Sequence, residues 1–300
     1  MTSKLTLSDG TVFLGESFGA LIESGGEVVF NTGMVGYPES LTDPSYFGQI
    51  LVLTYPIIGN YGVPKKEFWE SQRIQVKGLI VQNYIDDPSH FESEKSLSEW
   101  LKEEGIPALQ GVDTRALTIK LREHGVMLGT IGDEKNIYDP NLENVLPYVS
   151  TNTVENYGSG KKNVILIDCG DKENIIRSLV KRGVKVTKVP WDFNPMKADF
   201  KFDGVFISNG PGDLKQAKKT INNVKEVLKK GLPTFGICLG SQILALAAGG
   251  DTYKLKFGHR GQNQPVLESV KKKAVITSQN HGFAVDMKSL SSDWEEWFVN

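Results

Sequence analysis

The residues best placed to do chemistry in this chain are Gly236-Ile237-Cys238-Leu239-Gly240. The apolar run Leu232 to Ile237 before Cys238 reads as a buried strand, and Ser241 to Ala248 reads as a helix. A strand, a sharp turn and a helix with a nucleophile at the apex form a nucleophile elbow, here with Cys where hydrolases carry Ser. Glycine suits 236 and 240, because a Cβ at either position of so tight a turn would collide with the neighbouring strand or helix. Cys238 then precedes a helix N-terminus, whose dipole and N–H groups favour a thiolate. The pentapeptide alone is equally compatible with a buried, inert cysteine.

Two further stretches bear on that choice. Ser208-Asn209-Gly210-Pro211-Gly212-Asp213 follows an apolar run and can present bare backbone N–H groups to an oxyanion. Alone it reads as a tight turn between strand and helix; beside a cysteine elbow it reads as part of a site. Thr277 to Val285 contains Asn280, His281, Gly282 and Phe283 between apolar runs, and reads as a polar binding turn. A thiol nucleophile needs a general base, and His281 is the candidate by type, with His259 second. His90 and His124 are isolated in the sequence and read as surface or structural residues.

These stretches need elements to hold them. Residues 1–150 open with short strands at Lys4–Leu7, Thr11–Leu14 and Glu27–Phe30, punctuated by Gly10, Gly15 and Gly25-Gly26. Asn31 to Tyr46 reads as a long, Gly- and Pro-rich functional loop. Gln49–Tyr55 and Val76–Val81 read as strands. Two helices follow: one buries Leu97, Trp100 and Leu101, and the other is capped by Asp113 or Thr114 and ended by Gly125. Polar 151–162 reads as a linker. In 163–300 apolar strands at Val164–Ile167, Val184–Val189, Gly204–Ile207 and Leu232–Ile237 alternate with helices near 172–181 and 216–229. That alternation predicts an α/β domain with a doubly wound, mostly parallel sheet, behind an N-terminal mixed strand and helix domain. Ligands bind such sheets beyond the carboxyl ends of the strands, where both glycine-containing turns fall.

The bulk numbers exclude several classes. The chain has 300 residues with 39% hydrophobic and 23% charged, which suits two soluble globular domains. Lys+Arg 34 against Asp+Glu 36 gives a net charge of -2, with no global pull toward nucleic acid or anionic membrane. There is no signal-peptide-like start and no run near the ~20 apolar residues of a membrane span. Cys169 and Cys238 make neither a disulfide framework nor a metal spacing, so a reducing, cytoplasmic setting is expected.

Taken together, Ser208–Asp213, Gly236–Gln242 and Gln279–Phe283 resemble the class I, triad-type glutamine amidotransferases. Thr32-Gly33-Met34-Val35-Gly36-Tyr37, Leu41-Thr42-Asp43-Pro44-Ser45-Tyr46, Leu53-Thr54-Tyr55-Pro56 and Gly111–Thr118 are similar to the glutamine-hydrolysing small subunit of carbamoyl-phosphate synthetase. Asp168-Cys169-Gly170, Val189–Asp192 and Arg260–Pro265 look more like its fused eukaryotic pyrimidine-synthesis form than the free bacterial subunit. The resemblance runs from residue 4 to the last residue.

The resemblance implies that Cys238 attacks glutamine and forms a γ-glutamyl thioester, with the oxyanion on backbone N–H groups of Leu239 and Gly212. It implies substrate contacts at Ser45, Gly210, Gly212, Leu239, Gln242, Asn280, Gly282 and Phe283, mostly through backbone. Ammonia would pass to a synthetase, as a large subunit or fused domain, that binds ATP, Mg and bicarbonate; no cofactor or metal is expected in this chain. The product would serve pyrimidine or arginine synthesis. The chain departs from the family in one serious respect. The family base lies in a His-Pro-Glu element after the Asn-His-Gly-Phe binding loop to which His281 belongs, so His281 is not the expected base, and no His-Pro-Glu occurs here. The C-terminal end is therefore expected to be incomplete, and the chain alone very weak or inactive as a glutaminase. Leu214 stands where the family has Pro, and Ser241 where it has His or Asn. Two other readings are a non-catalytic docking or regulatory module of the synthetase, and a different α/β cysteine hydrolase or another amidotransferase, such as an anthranilate- or guanylate-type one. The first 150 residues speak against the latter.

Overall fold

A computed structural model describes residues 1–133 and 137–300. Its contacts divide it into two units. The first is Met1–Pro140 with Lys256–Gln264 and Ile276–Gln279, and the second is Asn141–Leu255 with Pro265–Val275 and Asn280–Asn300. Short segments of the expected second domain thus belong to the first unit.

The first unit contains β1 (Thr2–Leu7), β2 (Val12–Ser17), β3 (Ser24–Asn31), α1 (Tyr37–Thr42), β4 (Gln49–Leu53), β5 (Ile57–Ile58), β6 (Gly78–Ile80), β7 (Asn83–Tyr84), α2 (Leu97–Glu103), β8 (Ala108–Gln110), α3 (Thr114–His124) and β9 (Met127–Ile131). Its strands close a barrel in the order β1-β2-β8-β6-β4-β3-β9. The run β3-β4-β6-β8 is parallel, and antiparallel pairing of β9 with β1 and β3 completes it. All of β4, Gln-Ile-Leu-Val-Leu, is buried, as a strand with parallel neighbours on both sides requires.

Capping chemistry sets the helices. Ser96 and Glu99 form a reciprocal capping box on α2, and the Asp113 side chain accepts from the Ala116 N–H at the start of α3. Leu97, Trp100 and Leu101 face the core as their spacing predicts, and Trp100 lies 4.5 Å from Trp69 between ring centroids. Trp100→Ala should cost about 3–5 kcal/mol by opening a cavity there, measured as a lower denaturant midpoint.

The long loop expected over 31–46 is partly helical. Pro38 lies in the first turn of α1, and the Thr42 hydroxyl donates to the Pro38 carbonyl at 2.8 Å. Pro44–Tyr46 forms a further 3-10 turn, whose Asp43 carboxylate accepts from the Ser45 N–H at 2.9 Å. Proline at a first turn and Asp at a cap are helix-starting signals that the glycines of the segment obscured.

The first strand of the second unit is β10 (Glu155–Tyr157), inside the segment expected to be the interdomain linker. The unit continues with β11 (Lys162–Asp168), α4 (Glu173–Lys181), β12 (Val184–Pro190), β13 (Gly204–Ile207), α5 (Lys218–Lys229), β14 (Thr234–Gly236) and α6 (Leu239–Ala247). The sheet order is β10-β12-β11-β13-β14, parallel from β12 to β14, with β10 antiparallel on β12. Helices α4, α5 and α6 pack against this sheet through Ile176, Val224, Val227 and Ile243.

The elbow strand differs from its expected buried state. Among the described residues β14 pairs with β13 and forms the sheet edge, leaving Phe235 59% exposed and Ile237 39% exposed. Apolar composition predicts burial only where a neighbour covers both sides. The chain then runs through β15 (Asp251–Glu268), β16 (Lys273–Asp286) and β17 (Phe298–Val299), in sheet order β16-β15-β17. The expected polar turn over 277–285 is therefore strand. Pairing along β15 overrides the turn preference of Asn280 and Gly282.

Candidate active site

The elbow is built by interlocking glycines. A Cβ on Gly236 would collide with the Gly240 carbonyl carbon, and one on Gly240 with the Ile207 carbonyl oxygen. Their absence lets β14 pass over the first turn of α6, and lets that turn rest on the end of β13. Between them Cys238 takes φ 52 and ψ -112, a left-handed-side conformation that costs a non-glycine residue about 1–3 kcal/mol. Such strain persists only where the surroundings impose it, as at the apex of a nucleophile elbow.

The half-buried Cys238 thiol donates to the Asn280 carbonyl at 3.3 Å. Gln242, one turn into α6 and buried, donates its Nε2 to the Phe283 carbonyl at 2.7 Å. These two bonds bring Asn280, Gly282 and Phe283 of β16 alongside the elbow. Leu239 is the first residue of α6, so its N–H lacks a partner inside the helix.

The parallel register pairs Ile207 with Gly236, so the Ser208–Asp213 loop leaves the sheet beside the elbow. Gly210 lies against the Cys169 carbonyl, where a Cβ would overlap it, and Gly212 takes φ 78. Cys238, Leu239, Gly210, Gly212, Gln242, Asn280, Gly282 and Phe283 thus all fall in the second unit, at the carboxyl ends of β13 and β14 or on the adjoining β16 segment. Ser45 belongs to the first unit, where it is buried on the Pro44–Tyr46 turn.

The histidines separate. His281 shares the second unit with Cys238, and its Nδ1 lies 2.8 Å from the Phe283 carbonyl. His259 is in the first unit, where burial pulls its pKa below the ordinary value. His90 and His124 are exposed. Sequence reasoning missed Lys254, whose Nζ lies 5.9 Å from the centroid of the Phe283 ring; nothing in its spacing marks it. Among the described residues no group of three or more His, Cys, Asp or Glu is arranged to hold a metal, and no helix is long and apolar enough to cross a membrane.

Gln242→Ala should remove the tie to β16 and leave the Phe283 carbonyl without that donor, at a cost of about 1–3 kcal/mol. The measurement is amide hydrogen exchange, which should quicken at residues 280–285 before it quickens elsewhere.

A cysteine elbow flanked by a glycine-rich loop on an α/β sheet is the arrangement expected of a class I glutamine amidotransferase domain. The corresponding family model, glutamine amidotransferase class-I, matches residues 165–300, and the model for the CPSase domain of the carbamoyl-phosphate synthase small chain matches residues 5–131. The arginine-specific carbamoyl phosphate synthase small chain of Neurospora crassa is 48% identical over 98% of this chain and 69% of that protein. The multifunctional protein CAD of Squalus acanthias is 50% identical over 99% of this chain and 14% of that protein. The multifunctional protein URA2 of Saccharomyces cerevisiae is 45% identical over 99% of this chain and 15% of that protein. The chain belongs to the carbamoyl-phosphate synthase small-chain family. It spans about two thirds of the fungal small chains and about a seventh of the multifunctional proteins.

Proposed function

We propose that this chain is the glutamine-hydrolysing part of a carbamoyl-phosphate synthase. The Cys238 sulfur adds to the side-chain carboxamide of glutamine, and the N–H groups of Leu239 and Gly212 receive the oxyanion. Collapse of the tetrahedral adduct breaks the C–N bond, releases ammonia and leaves a γ-glutamyl thioester. Water then hydrolyses the thioester to glutamate and restores the thiol. Gly210, Gln242, Asn280, Gly282 and Phe283 contact the substrate. The observation that carries the reading is the strained Cys238 apex at the start of α6, with Sγ 3.3 Å from the Asn280 carbonyl.

Ammonia then passes to a synthetase, a large subunit or a fused domain, which binds ATP, Mg and bicarbonate. The product serves arginine or pyrimidine synthesis in the cytoplasm. Departure of ammonia needs a proton, and the family's His-Pro-Glu element does not occur in these 300 residues. The isolated chain is accordingly a very slow glutaminase. The test compares carbamoyl phosphate formation by a synthetase with glutamine or with ammonia as nitrogen source, in the presence of this chain or of this chain extended by a His-Pro-Glu segment. Glutamine-dependent synthesis with the extended form alone supports the reading. Stimulation of the ammonia-dependent reaction, with no use of glutamine by either form, would favour a docking and regulatory role instead.

A further inference from the structure

Behind the Ser208–Asp213 loop lies a buried charge cluster that the proposed chemistry does not use. Lys188 sits within β12 with its side chain 11% exposed, and its Nζ lies 2.8 Å from Asp171 Oδ1 and 3.3 Å from Asp168 Oδ2. A lysine inside an apolar strand costs free energy unless carboxylates meet it. Asp168 closes a tight turn at the end of β11. Its Oδ1 accepts from the N–H groups of Gly170 and Asp171, and its Oδ2 from the N–H of Thr151. Asp171 Oδ2 is buried with no hydrogen-bond partner. Burial and the neighbouring Asp168 charge push the Asp171 carboxyl well above the usual carboxylate range.

The turn fixed by this cluster, residues 169–172, also grips the loop. The Cys169 N–H donates to Ser208 Oγ at 2.9 Å, and that hydroxyl donates to the Asn209 carbonyl at 2.7 Å. Asn209 Nδ2 donates to the Gly170 carbonyl at 2.9 Å, and the Lys172 N–H donates to Asn209 Oδ1 at 3.1 Å. Asp171 lies between the two turn residues that hold the Asn209 side chain. A shift at Asp171 is therefore passed to Asn209 and on to Gly210 and Gly212.

We propose that Asp171 and Lys188 are positioning residues, which tie the 169–172 turn to β12 and so set where the Asn209–Gly212 loop presents its backbone N–H groups to a substrate carboxamide. The proposal rests on the glutamine-hydrolysing reading. The geometry that supports it is the continuous path from Lys188 Nζ through the turn to the loop.

The test labels Cys238 of the full chain with a diazoketone analogue of glutamine and measures how much glutamine gives half-protection. Alkylation by iodoacetamide, which needs no loop, serves as the control. Lys188→Met should raise the half-protecting glutamine concentration by about tenfold or more while iodoacetamide reacts within about twofold of the unchanged rate. Asp171→Asn should stay within about threefold, because the amide keeps the shape and an oxygen that accepts from Lys188 Nζ. The double variant Asp171→Leu with Lys188→Met removes that ion pair together and leaves Asp168 on the three backbone N–H groups that already bond it, so its melting temperature should stay within about 5 °C. Its glutamine protection should nonetheless remain weak. Full protection in either Lys188→Met or the double variant would overturn the proposal. So would iodoacetamide acceleration that matches the loss of protection, which marks general loosening. Absence of glutamine protection in the unchanged chain would instead remove the glutamine reading, and this proposal with it.

Discussion

Gly240→Ala is expected to lower stability by about 3 kcal/mol or more and to slow covalent labelling of Cys238 by about a hundredfold. The reason lies in what a methyl group would meet there. The Ile207 carbonyl oxygen occupies the place of that Cβ, and the Ser208 carbonyl oxygen lies 2.9 Å from it. Both atoms are backbone at the end of the central strand β13, so neither can swing aside as a flexible side chain would. The first turn of α6 must lift off the sheet. Cys238, held at φ 52 by that turn, then relaxes toward an ordinary conformation and no longer projects from the apex. Gly236→Ala should behave alike, because its Cβ would strike the Gly240 carbonyl carbon from the other side. Chemical denaturation read by far-UV circular dichroism, together with labelling kinetics, checks both effects. A Gly240→Ala chain with unchanged stability would mean that the elbow is not so closely packed.

Cys238→Ser is expected to leave the fold intact and to reduce thioester formation by about three orders of magnitude or more. Oxygen replaces sulfur with little change of shape, so the half-buried side chain can still donate to the Asn280 carbonyl. A serine hydroxyl, though, is almost wholly protonated at neutral pH, whereas a cysteine at a helix N-terminus has ready access to its thiolate. Intact-mass analysis after exposure to the diazoketone analogue should show the added mass on the unchanged chain and none on the variant. Labelling of the serine chain to the same extent would place the reactive group elsewhere.

The parts of the fold that were legible in the sequence are those set by local rules. The parallel sheet of the second unit follows from apolar runs such as Val164–Ile167 and Gly204–Ile207 alternating with helices of helical spacing. Asp113 and Gly125 bound α3 because capping is written into single residues. The elbow was legible because Gly236–Gly240 falls between a strand-like and a helix-like run, and the Ser208–Asp213 and Gln279–Phe283 stretches weigh against an inert cysteine. What was not legible depends on distant partners. Closure of the barrel needs β9 to meet β1 across more than a hundred residues. The 277–285 stretch reads as a turn by composition and is strand by pairing. The polar segment at 155–157 becomes β10 because β12 offers it an edge. The exposure of Phe235 likewise depends on what flanks β14, which its own apolarity does not reveal.

The Asp171 and Lys188 pair falls on the second side of that division. In Val184-Lys185-Val186-Thr187-Lys188-Val189 a second lysine and a threonine leave the burial of Lys188 unmarked by composition. Which carboxylate answers that lysine depends on the register that sets Leu166 of β11 opposite Lys188 and so brings the Asp168 turn within reach. Ser45, expected as a substrate contact, is packed in the first unit on its own Asp43-capped turn.

The central claim is that Cys238 and the loops beside it form a glutamine pocket, and its most direct test is mass spectrometry of the chain after reaction with the diazoketone analogue. The account predicts a single adduct on the peptide carrying Cys238, none on Cys169, and suppression of that adduct by excess glutamine but not by excess asparagine, whose carboxamide falls one methylene short. Labelling that glutamine leaves untouched, or an adduct carried equally by the buried Cys169, would contradict it.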